Sequence, residues 1–297
     1  MLRLEEITKQ FEDVLAVDSL NLTVNPGRIF GFLGPNGAGK TTAIRIIMDI
    51  LKPDMGRVIY SGSTQKPDAS AFGYLPEERG LYQKIPVKEL LTYFANLRGK
   101  KSHEAGMVID GYLERFDLSS RYNTKISELS KGNQQKVQFI NAIVHDPEYL
   151  ILDEPFSGLD PVNQIILKEI LDALKGQGKT IILSSHQMDQ VEKICDDIGL
   201  INKGKLVVSG NLKEIKHQHG KQVLEVVPLD DSQTSHDIFR ELGGEEQANG
   251  GIHIPFQSES DVQGMIGKIN AAIPTRAIRI AEAGLEEIFI SLVRGAK

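Results

Sequence analysis

The stretch "GPNGAGKT", Gly34 to Thr41, constrains this chain more than any other segment. It fits G-x-x-x-x-G-K-[ST], in which glycines let successive backbone N–H groups turn inward around phosphate oxygens. Such a loop needs a strand before it and a helix after it. The apolar run "RIFGFL" supplies the strand, and "TTAIRIIMDIL" the helix, with Ile44, Ile47, Met48 and Leu51 at helical spacing. The helix N-terminus then faces the anion. Gly34, Pro35, Asn36, Gly37, Ala38 and Gly39 form the expected cradle, and Lys40 reaches the β- and γ-phosphates. The Thr41 hydroxyl is the expected Mg²⁺ ligand, with Thr42 also touching phosphate.

A length of 297 residues allows a sizeable core and suggests two domains. The formal net charge of −6 offers no general attraction to nucleic acid or anionic lipid. The single cysteine, Cys195, excludes an internal disulfide framework and suits a reducing cytoplasm. No apolar run approaches the roughly 20 residues that span a bilayer, and "MLRLEEITKQFEDV" has no signal-peptide core. Any work at a membrane is therefore expected to go through a partner.

Up to about residue 75, short runs such as "LNLTV", "RIFGFL" and "GRVIYSG" read as strands between turn signals. The period changes over residues 86–145. Val87, Leu90, Leu91, Phe94 and Leu97 mark one helical face, and Val108, Ile109, Tyr112, Leu113 and Phe116 another, predicting a helical insertion. "YLILDEP" and "KTIILSSH" are near-continuous apolar runs, as in a parallel sheet covered on both faces. The polar stretch "NLKEIKHQHGK" predicts a boundary, giving domains 1–215 and 216–297. The second reads strand, helix, strand, helix, strand, helix, with strands at "KQVLEVV", "GIHIPF" and "TRAIRIA" and a closing helix at "GLEEIFISLV".

Two further segments carry chemistry. "YLILDEP" delivers Asp153 and Glu154 at a strand end, where neighbouring residues point to different sides. The first carboxylate suits Mg²⁺, and the second suits a water lined up against a γ-phosphate. "SELSKGNQQKV" places Ser130 as the N-cap of a helix carrying Val137, Ile140 and Val144. Ser130, Gly132 and the amides beyond form a second anion-binding helix end.

Together these segments resemble the ATP-binding subunit of an ABC transporter, over roughly residues 2–215 and in the family's order. "GPNGAGKTT" resembles the Walker A loop, "LSKGN" at 129–133 the signature, "LILDEP" the Walker B strand, and "SGLD" at 157–160, with Asp160, the D-loop. His186 sits where the family has its switch histidine, and Phe11 matches the aromatic that stacks on adenine. Lys131 and Asn133 depart from the usual LSGGQ, and in "GYLPEERGLY" Glu77 stands where the family normally has glutamine. The resemblance carries a metal-contact and coupling role onto Glu77.

The resemblance implies an α/β fold: a P-loop NTPase core with an N-terminal β-subdomain, a helical insertion and a small C-terminal α/β accessory domain. It implies ATP and Mg²⁺ as cofactors. It also implies a head-to-tail pairing with a second copy, so that ATP held by Lys40 and Thr41 of one is closed over by Ser130 and Gly132 of the other. "GYLPEERGLY" and the tail are closest to ATPases paired with ABC-2 type permeases, mostly exporters, bound at the cytoplasmic face of the cell membrane. There the segment from Glu77 to Leu97, with Leu81, Tyr82 and Ile85, is expected to meet the permease. No nucleic-acid partner is expected. The alternative is a soluble ABC ATPase acting on a ribosome or nucleic-acid complex, although such proteins usually carry a second ATP-binding domain or long coiled coils.

Overall fold

In three runs of the first sixty residues, around the phosphate loop, apolar side chains tend to alternate with polar ones. The computed structural model, which describes residues 1–78, 80–220, 222–229, 239–246, 251–256 and 259–295, pairs these runs into one small sheet. Strands β1 (Leu2–Phe11), β2 (Val14–Val24) and β4 (Met55–Tyr60) lie in the antiparallel order β2-β1-β4. In β1 the buried residues are Leu2, Leu4 and Ile7 rather than a strict alternation. The register slips between Leu4 and Ile7, beside Glu6 at φ 51°, so the bulge turns Ile7 back to the core.

The main sheet has the order β5-β6-β7-β3-β8-β9, from β3 (Arg28–Leu33), β5 (Phe72–Leu75), β6 (Tyr149–Asp153), β7 (Thr180–Ser185), β8 (Asp197–Asn202) and β9 (Lys205–Asn211). All neighbours are parallel except β8 and β9, which form an antiparallel hairpin. Every residue of β6 and β7 is buried, as their continuous apolar runs require. Helix α1 (Lys40–Ile47) follows β3, and α2 (Val87–Leu97), α3 (Ser102–Arg115) and α4 (Lys131–Ile143) intervene between β5 and β6 as the helical insertion. Helices α5 (Pro161–Gly176) and α6 (Met188–Glu192) complete this part.

Two helical expectations change in detail. The helix after the phosphate loop stops at Ile47, because Asp49 takes φ 56° and reverses the chain. Leu51 lies beyond it but still packs on the same core cluster. On α2, Val87, Leu90 and Leu91 are buried, whereas Leu97 is 63% exposed.

The chain divides into two compact units, Met1–Leu212 and Lys213–Lys297, at the start of α7 (Leu212–His219), the helix in which the expected 215/216 boundary also falls. The second unit is an antiparallel sheet of order β11-β12-β10-β13, built from β10 (Gln222–Pro228), β11 (Glu245–Glu246), β12 (Ile252–Pro255) and β13 (Thr275–Glu282). Leu224, Val226, Ile252 and Ile254 pack with Val262 and Ile269 of α8 (Glu259–Ala272), and α9 (Leu285–Gly295) closes the unit. The helix expected after the first strand falls largely on residues 230–238, outside the described residues, and β11 adds a short strand that sequence pattern did not predict.

Candidate functional site

The parallel strands end at one edge, and that edge holds the site. β3 runs out at Leu33, and the loop Gly34–Gly39 turns the chain into α1. Gly39 caps the helix at φ 108°, and a Cβ there would lie 2.3 Å from the Ala16 carbonyl oxygen. No L side chain fits that position without moving β2.

Lys40 is only 7% exposed. Its Nζ donates to the carbonyls of Gly34 at 2.7 Å and Pro35 at 3.1 Å, leaving one of its three donors for an incoming anion. Burial lowers its pKa, while Glu154, Asp153 and Glu77 pull the other way. It is a partly desolvated cation that a phosphate would satisfy.

The two neighbouring carboxylates of β6 point to different partners. Asp153 Oδ2 accepts from Thr41 Oγ1 at 3.3 Å, and its Oδ1 accepts from Ser184 Oγ on β7, the residue directly opposite in the parallel register. Burial raises the Asp153 pKa, Glu154 adds to the rise, and the two hydroxyls and Lys40 oppose it. Glu154 takes φ 50° and turns to the chain just after β7. Its Oε2 accepts from Ser185 Oγ at 3.0 Å, and its Oε1 accepts from the His186 amide at 2.9 Å. The same Oε1 lies 2.7 Å from His186 Nδ1.

A cleft of about 560 Å³ is lined by Val14–Ala16, Asn36–Thr42, Glu77, Asp153, Glu154, Lys203 and Gly204. Gly34 and Pro35 contribute through the carbonyls that hold Lys40, and His186 through Glu154. Phe11 is not in the lining. It is 44% exposed at the end of β1, paired in the ladder with Val14, with Lys9 Nζ 5.6 Å from its ring centre.

Ser130, Gly132 and Asp160 are also absent from the lining of this cleft. Ser130 caps α4 by accepting from the Asn133 amide at 3.2 Å. A Cβ on Gly132 would come within 3.0 Å of the Gly158 carbonyl, so the "LSKGN" and "SGLD" segments lie against each other. Asp160 caps α5, accepting from the Asn163 amide at 3.0 Å, which lowers its pKa.

Sequence pattern missed Val14, Leu15, Ala16, Lys203 and Gly204. Lys203 and Gly204, at φ 48° and 79°, form the β8–β9 turn. The Gly204 amide donates to Ala38 O at 2.9 Å, and its carbonyl accepts from the Asp18 amide at 2.9 Å, which ties the turn to the phosphate loop and to β2. The Lys-Gly pair between apolar runs signals a hairpin, but nothing local says that the hairpin covers the loop.

The cleft suits a polyphosphate with its metal: an N-terminal helix end, a glycine-lined loop and a buried lysine, with Asp153, Glu154 and Glu77 in the same lining. Thr41 Oγ1 and Asp153 Oδ2 are hard oxygen donors at one point, which fits Mg²⁺, an ion that takes its remaining ligands from phosphate and water. Among the described residues no cluster of three or more His, Cys, Asp or Glu could hold a metal by itself.

Outside the cleft, Tyr82 is 58% exposed and stacks on Phe94 at 6.1 Å, and Tyr93 is exposed beside it. Leu81 is buried and Ile85 half-buried, so of the three residues expected at a partner surface only Tyr82 is fully presented. Arg79 of the same segment lies outside the described residues. No helix among the described residues is long and apolar enough to cross a membrane.

Comparison with known proteins agrees with this geometry. The family described as ABC transporter matches residues 17–157, and the family described as ATP-binding protein DrrA1-3-like, C-terminal domain, matches residues 210–293. The chain is 42% identical to the uncharacterised ABC transporter ATP-binding protein YhaQ of Bacillus subtilis, over 99% of this chain and 98% of that one. It is 31% identical to a Nod factor export ATP-binding protein I of Burkholderia thailandensis, over 97% of this chain and 95% of the relative. Among solved structures, the ATP-binding subunit of an ABC transporter superposes with a TM-score of 0.69 at 28% identity, covering 73% of this chain and 92% of that one.

Proposed function

This chain belongs to the ABC transporter ATP-binding proteins and is an ABC ATPase, and from that premise we propose that it is the energy-coupling subunit of an exporter, driving a separate ABC-2 type permease from the cytoplasmic face of the membrane. The DrrA1-3-like C-terminal family and the Nod factor export relative support the exporter reading. Residues 1–215 are the ATPase domain in this reading, and residues 216–297 an accessory domain. The exposed Tyr82 and Tyr93, which pack on the half-buried Phe94, are the permease contact.

The observation that carries the catalytic reading is the holding of Glu154. Three donors, Ser185 Oγ, the His186 amide and His186 Nδ1, fix a buried carboxylate beside the phosphate loop. Glu154 also lines the cleft, where a water set against a bound phosphate would meet it. Lys40 and the loop amides hold the β- and γ-phosphates, and Glu154 orients and polarises the attacking water. Thr41 and Asp153 are the proposed Mg²⁺ ligands, with Glu77 at the cleft edge; the ion would neutralise charge on the phosphates. His186 is the proposed γ-phosphate contact.

Ser130 and Gly132 do not line the chain's own cleft. As an exposed, capped helix end, they complete the site of a second copy arranged head to tail, each ATP being closed between two chains. Closure with γ-phosphate and release after hydrolysis then move the permease between two states.

Replacing Glu154 by Gln tests this directly, since the amide keeps the shape and loses the base. Hydrolysis is expected to fall by about 10²- to 10⁴-fold, with MgATP binding retained and a closed dimer accumulating in gel filtration. Near-normal turnover by Glu154→Gln would remove the residue from its proposed role.

A further inference from the structure

Helix α4 starts at Ser130, away from the chain's own cleft, yet its buried face reaches the loops that carry both Glu154 and Glu77. Gln135, 3% exposed, points its Nε2 at Pro155 O, the carbonyl that follows Glu154, at 3.4 Å. Gln138, also 3% exposed, lies on the same helix one turn further along. Its Nε2 donates to Pro76 O at 3.0 Å and Glu78 O at 3.2 Å. Both amide hydrogens are thus spent on the carbonyls that bracket Glu77. His145, just past the helix end, places Nε2 2.9 Å from Phe72 O, at the start of the strand that leads into that loop.

We propose that Gln138 is a positioning residue: its amide clamps the 76–78 loop onto α4, presents Glu77 to the nucleotide cleft, and so links the helix that begins at Ser130 to the chain's own site. The inference rests on the nucleotide reading of the cleft. Three observations carry it. The loop lies at the cleft, with Glu77 in its lining. Gln138 holds the backbone on both sides of Glu77, which leaves the carboxylate free while fixing where it starts. Gln138 Oε1 has no protein partner and is buried, so the amide is kept at a cost in desolvation for what its nitrogen does.

The link has a direction. A shift of α4 as Ser130 meets a second copy would be carried by a rigid helix to Gln138 and from there to Glu77. Packed elements transmit such shifts because they do not deform continuously. Communication between two nucleotide sites thereby acquires a route through one helix and the two hydrogen bonds of Gln138.

Since the chain contains no tryptophan, Glu78→Trp installs a single fluorescent reporter on the loop of the full-length protein. In that background Gln138→Met keeps the length of the side chain and removes both donors. Acrylamide quenching of the reporter, without nucleotide, is expected to rise roughly twofold as the loop opens locally, with little change in melting temperature. Steady-state ATPase is expected to show a lower kcat and a several-fold higher Mg²⁺ requirement, at nearly unchanged KM for ATP. If Gln138→Met does not fold, Gln138→Asn, which keeps the amide but falls short of the loop, is read in its place. Quenching that rises while the Mg²⁺ requirement stays fixed supports the clamp and removes Glu77 from the metal. Unchanged quenching overturns the clamp, whatever the ATPase does.

Discussion

Glu154 and Glu225 are both buried carboxylates, 7% and 5% exposed, and they are held in opposite ways. Glu225, in the sheet of the C-terminal unit, accepts from Arg279 Nε at 2.6 Å, across the β10–β13 ladder. Its pKa is lowered, first by that hydrogen bond. Glu154 has only a serine, an amide and an imidazole. Beside it Asp153 is pushed up by burial, and Lys40 is pushed down by burial with two of its three donors on carbonyls. Among the described residues no ion pair joins Lys40 to either carboxylate. The C-terminal unit has paired its buried Glu225 internally, and the nucleotide unit has gathered three buried charged groups that feel one another without a direct ion pair between lysine and carboxylate among the described residues. Buried charges left without a lysine or arginine partner in a cleft suit a charged ligand; a charge paired within its own sheet holds a fold.

That contrast is broken hardest by a cavity. Leu224 is fully buried in the core of the C-terminal unit, so Leu224→Ala should cost that unit about 2–5 kcal/mol. Calorimetry should show its transition falling, while titration with a fluorescent ATP analogue gives the wild-type affinity. A parallel loss of affinity would mean that the two units do not act separately. Lys40→Ala is the complementary change. Losing a charge-assisted contact to phosphate of about 1.5–3 kcal/mol should weaken nucleotide roughly 10- to 100-fold. Thermal stability without nucleotide should hold or rise slightly, because a buried, desolvated cation has gone. A large drop in stability instead would make Lys40 a structural residue.

The two regions also differ in what could be read from sequence. β6 and β7 were legible because strands covered on both faces must be apolar throughout, and the loop at Gly34–Lys40 was legible because its chemistry is contiguous. Asp153 and Glu154 stood out for the same reason. What escaped is tertiary: Val14–Ala16 and the Lys203–Gly204 turn reach the cleft only because β2 and the β8–β9 hairpin fold against the phosphate loop. Ser130 was legible as a helix cap, yet a cap does not reveal which cleft it serves. The bulge at Glu6 and the reversal at Asp49 were invisible, since neither residue type demands a positive φ. Gln138 carried no signal either. A glutamine among apolar residues on a helix reads as ordinary until the carbonyls on both sides of Glu77 are seen at its nitrogen.

The smallest expected effect is also the one that separates the two kinds of buried acid. Because the folded-state pKa of Glu225 lies below its ordinary value, the unfolded chain binds more protons in acid than the folded one does. Its contribution to stability is therefore present above the ordinary carboxylate range and lost as pH falls through the lowered folded value. Asp153 is raised and has the opposite sign: its burial penalty is in force above the raised value and is relieved as pH falls through the window down to the ordinary one. Glu225→Gln should lower the melting point of the C-terminal unit slightly at neutral pH, by less than Leu224→Ala. The gap from wild type should close as the solution is acidified. It should narrow in molar salt too, because Arg279 is 71% exposed and its charge is screened. Asp153→Asn should leave that transition alone, and in the nucleotide unit it should gain most over wild type at neutral pH, with the advantage shrinking in acid. If the gap between wild type and Glu225→Gln were the same at neutral and acid pH, the Arg279 pairing would not be what makes this unit sensitive to protons.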